Sequence, residues 1–180
     1  MNRVVTGDEM RIVFLDVDGV LNCITTRERY KGFIGVDSAH VEILSKIIEI
    51  SNREEKTEIV LSSSWRIGQD RDGTDIPDGY MYLMEKLSEY DLNIFDDTPR
   101  LKWGNRGRDR RGREIAGWLY LNREKNVTGY VVLDDEPFED FRKYRILPHL
   151  VLTSFASNGG LREEHIKPTL TALRLVSPCK

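Results

Sequence analysis

The segment Asp16-Val17-Asp18-Gly19 sets two carboxylates two residues apart, directly after the apolar run Arg11-Ile12-Val13-Phe14-Leu15. Residues two apart on an extended chain point the same way, so Asp16 and Asp18 can face one cavity. Two carboxylates that close repel each other, and they are tolerated where a metal lies between them or one keeps its proton. Either arrangement divides the labour. One ionised carboxylate serves as nucleophile or ligand, and its neighbour serves as general acid/base. The same string could open a calcium loop, but that pattern needs glycine sixth and glutamate twelfth. Here glycine is fourth and the twelfth residue is Arg27, so calcium fails.

Two further polar strings follow apolar runs in the same way. Ser62-Ser63-Ser64 follows Glu58-Ile59-Val60-Leu61, and Asp134-Asp135-Glu136 follows Tyr130-Val131-Val132-Leu133. Serines there read as a helix cap or as a hydroxyl with successive N–H groups that cradle a phosphate oxygen. No GxSxG surrounds them, which removes a hydrolase elbow. Asp134 and Asp135 alone read as a solvated acidic turn. Taken with Asp16 and Asp18 they point to a Mg²⁺ site, since hard oxygen ligands, waters and substrate phosphate suit that ion. Asp140 is either a brace for this loop or a surface acid.

A strongly basic stretch carries Arg100, Lys102, Arg106, Arg108, Arg110, Arg111 and Arg113 with one acid, Asp109, between Pro99 and Arg113. It is a solvated charged loop or a local field that attracts phosphate. Arg111, at the start of a helical pattern, is best placed to reach the polar edge; Lys102, Arg108 and Arg113 compete with it. His40, His149 and His165 are scattered and take no ligand role. Trp65, Trp103 and Trp118 read as core or rim residues.

These groups need a scaffold that brings them together. The three apolar runs, with His149–Thr153 and the weaker Leu92–Phe95, read as buried strands. Helical periodicity occupies Ser38–Ser51, capped by Asp37 or Ser38, then Tyr80–Tyr90, Gly112–Leu121 and Leu161–Leu173. Alternation of this kind predicts an α/β fold, a three-layer Rossmann-like parallel sheet with helices on both faces. Ligands bind such sheets outside the carboxyl ends of the strands, where the acids and serines have collected.

The chain has 180 residues, which predicts one domain over 1–180. Lys plus Arg is 27 against 30 Asp plus Glu, a net charge of −3. That balance argues against a generally basic nucleic-acid coat or a polybasic membrane-surface protein. No apolar run reaches the ~20 residues of a membrane span. Asp8 and Glu9 interrupt the place of a signal sequence, so a cytoplasmic protein is expected. Cys23 and Cys179 form no metal spacing and no disulfide framework.

In order and context, Asp16-Val17-Asp18-Gly19-Val20 resembles motif I of the haloacid dehalogenase-like (HAD) superfamily, Ser62 motif II, and Asp134-Asp135 motif IV. Leu61 to Arg66, Arg111 to Ile115 with Trp118-Leu119, and Gly160-Leu161 are similar to a small HAD subgroup linked to phage and RNA-repair proteins. The resemblance implies Asp16 as nucleophile forming an aspartyl-phosphate, and Asp18 as acid/base whose backbone carbonyl binds Mg²⁺. It implies Ser62, with Ser63, on the phosphoryl oxygens, and Asp135 beside Asp134 in the metal site. Motif III is usually lysine, and here an arginine takes that place, with Arg111 the candidate. Too few residues separate Gly19 from Ser38 for a cap domain, so little or no cap is expected. The implied activity is a Mg²⁺-dependent phosphomonoester hydrolase for a nucleotide or polynucleotide terminal phosphate. The alternatives are a sugar-phosphate phosphatase and a catalytically silent nucleic-acid-binding module. Oligomeric state is not implied.

Overall fold

The computed structural model describes residues 9–66, 78–101 and 110–175. Five parallel strands form the central sheet: β1 (Met10–Leu15), β4 (Thr57–Leu61), β5 (Ile94–Asp97), β6 (Val127–Asp134) and β7 (Leu150–Leu152), in the order β5-β4-β1-β6-β7. Between β1 and β4 lie a two-stranded hairpin, β2 (Arg29–Tyr30) and β3 (Phe33–Ile34), and the helix α1 (Ser38–Asn52). The other helices are α2 (Asp78–Ser88), α3 (Arg111–Leu121) and α4 (Ile166–Leu173).

Strand alternation builds two cores from one sheet. Val13, Leu15, Ile59, Leu61, Val131 and Leu133 face α1, α2 and α4, where they meet Leu44, Ile47, Leu83 and Leu173. Ile12, Phe14, Val60, Tyr130 and Val132 face α3 and meet Ile115, Trp118 and Leu119. This is the expected three-layer arrangement, because period-2 strands bury both faces only when helices cover each side. Asp37 is the α1 cap, accepting from the Ala39 N–H at 3.0 Å.

Some boundaries move from their sequence positions for local reasons. The fourth helix starts at Ile166 rather than at Leu161, after a single tight turn over Glu163–His165. The weak strand is displaced to Ile94–Asp97, and its Asp96 is accommodated by accepting from the Trp118 indole at 2.8 Å. The segment expected to hold no cap carries only the β2–β3 hairpin, closed by Lys31 and Gly32. Among the described residues, no helix is long and apolar enough to cross a membrane.

Chain order explains where a site can form. From β1 the chain steps to β4 and β5 on one side, then crosses to β6 and β7 on the other. The carboxyl ends of β1 and β6 therefore flank the switch point, where such sheets open a crevice.

Candidate active site

Backbone bonding continues one step beyond the strands and fixes the first residues of their loops. The Asp16 N–H donates to the Leu133 carbonyl at 3.0 Å and the Ser62 N–H to the Leu15 carbonyl at 2.8 Å. The Thr153 N–H donates to the Asp134 carbonyl at 3.0 Å. Asp16, Ser62 and Asp134 thus stand side by side on the carboxyl edge, held by the sheet rather than by a loop.

Asp16, Asp134 and Asp135 each offer an oxygen to a cluster whose atoms lie within 4.8 Å of one another. Burial raises the pKa of Asp16, against the pull of Arg111 and a hydrogen bond from the Ser63 hydroxyl. Burial also pushes Asp134 up to about 7, opposed by Arg111 and reinforced by Asp16 and Asp135. Asp135 is raised as well, chiefly by burial and then by Asp16. Three crowded carboxylates, with Asp134 Oδ2 buried and without a hydrogen bond, form an all-oxygen donor set that fits a hard cation. The cluster can hold a metal ion.

Gly19 shapes this corner. Its φ of +76° suits a residue without a side chain, and an added Cβ would lie 2.4 Å from Asp135 Cγ. Motif chemistry and backbone permissiveness coincide here: only glycine lets the first loop leave its strand while Asp135 leans over it.

Asp18 is not one of the three clustered carboxylates. Its Oδ1 accepts from Asn22 Nδ2 at 3.0 Å and its Oδ2 from Trp65 Nε1 at 2.9 Å. Asn22 also accepts from the Gly19 N–H at 3.1 Å, tying the turn to the same side chain. A carboxylate placed this way stands beside the cluster with both oxygens held by N–H donors.

The serine string divides into roles. Ser62 is 1% exposed, and its Oγ makes no hydrogen bond. An unmade bond to a buried hydroxyl is costly, so Ser62 Oγ stands out on this edge as a hydroxyl with unspent hydrogen-bonding capacity. Ser63 is spent on Asp16. Arg66, 4% exposed, bonds Glu114 at 2.6 Å and the Ser63 carbonyl, which binds the string to α3.

Arg111 reaches the cluster from the first residue of α3. Its Nη1 lies 3.3 Å from Asp16 Oδ1 and 3.4 Å from Asp134 Oδ2, with the guanidinium 5.1 Å from the Phe138 ring centroid. The start of α3 is anchored by Asp140, whose two oxygens accept from the Gly112 N–H at 3.0 Å and the Arg113 N–H at 2.9 Å. Gly112 leaves room for it, since a Cβ would fall 2.8 Å from that carboxylate. Among the competing cations, Arg113 is exposed, and Lys102 and Arg108 lie outside the described residues.

Sequence reasoning missed Asn22, the Trp65 indole and the helix-anchoring use of Asp140. Asn22 has no periodic signal. Asp140 is separated by 28 positions from the amide it caps, and Trp65 by 47 from its partner. His149, given no ligand role, lies in the core and stacks on Tyr130 at 3.9 Å. Trp103 lies outside the described residues.

A family model for the HAD domain in Swiss Army Knife RNA repair proteins matches residues 12–166, a span that includes every residue of the cluster. No curated protein matches the chain.

Proposed function

The chain belongs to this family of HAD domains, and from that membership we propose that it is a Mg²⁺-dependent phosphomonoester hydrolase working through an aspartyl-phosphate on Asp16. One observation carries the reading: Asp16 is held among Asp134, Asp135 and Arg111 on the same edge as the buried, unpartnered Ser62 hydroxyl. A phosphoryl group needs that combination of nucleophile, counter-charge and donor.

An Asp16 oxygen attacks phosphorus, the ester P–O bond breaks, and Asp18 gives its proton to the departing oxygen. In the second half, Asp18 takes a proton from water as that water attacks phosphorus, and phosphate leaves while Asp16 is regenerated. Ser62 donates to a phosphoryl oxygen. Arg111 offsets the charge gathered between Asp16 and Asp134, so that two anions can meet. Asp16, Asp134 and Asp135, with the Asp18 carbonyl, would hold Mg²⁺, which would supply Lewis-acid polarisation of the phosphoryl oxygens.

The substrate class is a nucleotide or a polynucleotide terminal phosphate. The family description names RNA repair, the arginines from Arg100 to Arg113 favour extra phosphates, and between β1 and α1 the chain carries only the short β2–β3 hairpin rather than a cap domain. The test compares a 3′-phosphorylated and a 5′-phosphorylated oligonucleotide with mononucleotides and sugar phosphates under Mg²⁺. Oligonucleotide kcat/KM should exceed that for sugar phosphates and should fall with added salt, because phosphate contacts release counterions. Sugar phosphates turning over faster, with no salt dependence, would overturn the substrate class. Binding of oligonucleotide with no hydrolysis of any ester would favour the silent module.

A further inference from the structure

Trp65 has no part in the steps proposed above, yet its indole N–H donates to Asp18 Oδ2 at 2.9 Å. It stands in the one-turn segment Ser64–Arg66, three residues after Ser62. Asn22 takes the other Asp18 oxygen at 3.0 Å, so both oxygens are held. Hydrogen bonds to an ionised oxygen are short, strong and directional, so the indole selects one orientation of the carboxyl.

The indole is itself buttressed. Its ring lies 6.3 Å from that of Tyr82, which stacks on Tyr30 at 4.4 Å and 15°. The Tyr82 hydroxyl accepts from the Val36 N–H at 3.2 Å, pinning α2 to the segment that follows β3. Gly79, in the first turn of α2, faces the same ring, since an added Cβ would lie at ordinary contact distance, 3.7 Å, from Trp65 Cε3. A row of rings from Tyr30 through Tyr82 thus fixes the indole whose N–H reaches Asp18.

We propose that Trp65 is a positioning residue for the proton-transfer step, holding Asp18 in the orientation from which it passes its proton to the departing oxygen. The inference rests on the aspartyl-phosphatase reading above. In the first half-reaction the Asp18 proton moves to the ester oxygen as its bond to phosphorus breaks; in the second, Asp18 takes a proton from the attacking water. The Trp65 N–H keeps its own proton throughout.

Leaving-group chemistry gives a readout that a merely structural role would not move. An aryl oxygen departs readily as an anion, whereas an alkyl oxygen must be protonated as it leaves. General acid catalysis of such a step contributes about 10²–10⁴-fold. Steady-state kinetics of Trp65→Phe on 4-nitrophenyl phosphate and on a nucleoside monophosphate make the comparison. The ratio of kcat/KM for the aryl over the alkyl ester should rise at least about tenfold relative to wild type. An equal loss on both esters, or no change on either, in a wild-type enzyme that requires Asp16 would overturn the role of Trp65 alone. If wild type hydrolyses neither ester, or if Asp16→Asn keeps full turnover, the phosphatase reading fails and this inference with it. Should Trp65→Phe fail to fold, replacing Trp65 by its benzothiophene isostere keeps the ring shape and removes only the N–H. The same rise or the same equal loss then decides.

Discussion

Arg111 Nη1 lies 3.3 Å from Oδ1 of Asp16, and the same nitrogen lies 3.4 Å from Asp134. One buried nitrogen therefore faces two buried acids, and that Nη1 has no hydrogen-bond partner of its own. Its Coulomb attraction is the leading influence that opposes the burial of both carboxylates. Removing it leaves an uncompensated charge cluster, which is costly in a site of low dielectric. Arg111→Ala should lower kcat/KM by roughly 10²–10³-fold, the scale of losing one preorganised charge stabiliser. Arg111→Lys should recover part of that loss, since a point charge replaces a fork. Steady-state kinetics of the two variants provide the check, and equal activity in Arg111→Ala and wild type would remove Arg111 from the site.

Asp140 acts on the site only through α3. Because it accepts from the Gly112 and Arg113 N–H groups, Asp140→Ala should cost about 1–2 kcal/mol of stability as a lost helix cap. It should also lower turnover by loosening Arg111. Urea denaturation and kinetics together test this; a stability loss with unchanged turnover would separate the cap from the position of Arg111.

The acid cluster makes stability depend on pH in a stated direction when no metal is bound. The Asp134 carboxyl is raised from 3.8 to about 7, first by burial. Between those values the folded state binds more protons than the unfolded state, so stability is highest below the lower value and declines as pH rises towards the upper one. Three pH units correspond to at most about 4 kcal/mol. Denaturation of chelator-treated protein across that window should show the decline, and Asp134→Asn should flatten it. Mg²⁺ should oppose it near pH 7, stabilising by about 2.7 kcal/mol when present at one hundred times its Kd. A rise in stability across the window, or no response to Mg²⁺, would contradict the reading of the cluster.

Much of this was legible in the sequence, for physical reasons that differ by residue. Apolar runs that stop at Asp16, Ser62 and Asp134 mark buried parallel strands, and parallel strands must open on one edge, so the meeting of these residues follows from pattern alone. Arg111 was legible only as the best placed of four cations, because it stands at the start of a helical pattern, and Lys102, Arg108 and Arg113 stayed open. The β2–β3 hairpin was not legible, since two-residue strands carry too short an alternation to detect. Trp65 was placed among core or rim residues, and it is indeed half-buried. What periodicity could not show is the direction of its N–H, which is set once Tyr82 of α2 packs beside the indole. Asp140 likewise reads as a brace for its own loop or a surface acid until the fold sets it against the first turn of α3.

The central claim is that phosphate passes through Asp16. Acid-quenched enzyme, mixed with Mg²⁺ and an aryl phosphate, should carry one phosphoryl group, and peptide mass spectrometry should place it on Asp16. Asp16→Asn should carry none and should lose at least about 10³-fold in kcat. A phosphoryl group on another residue, or undiminished turnover by Asp16→Asn, would contradict the account.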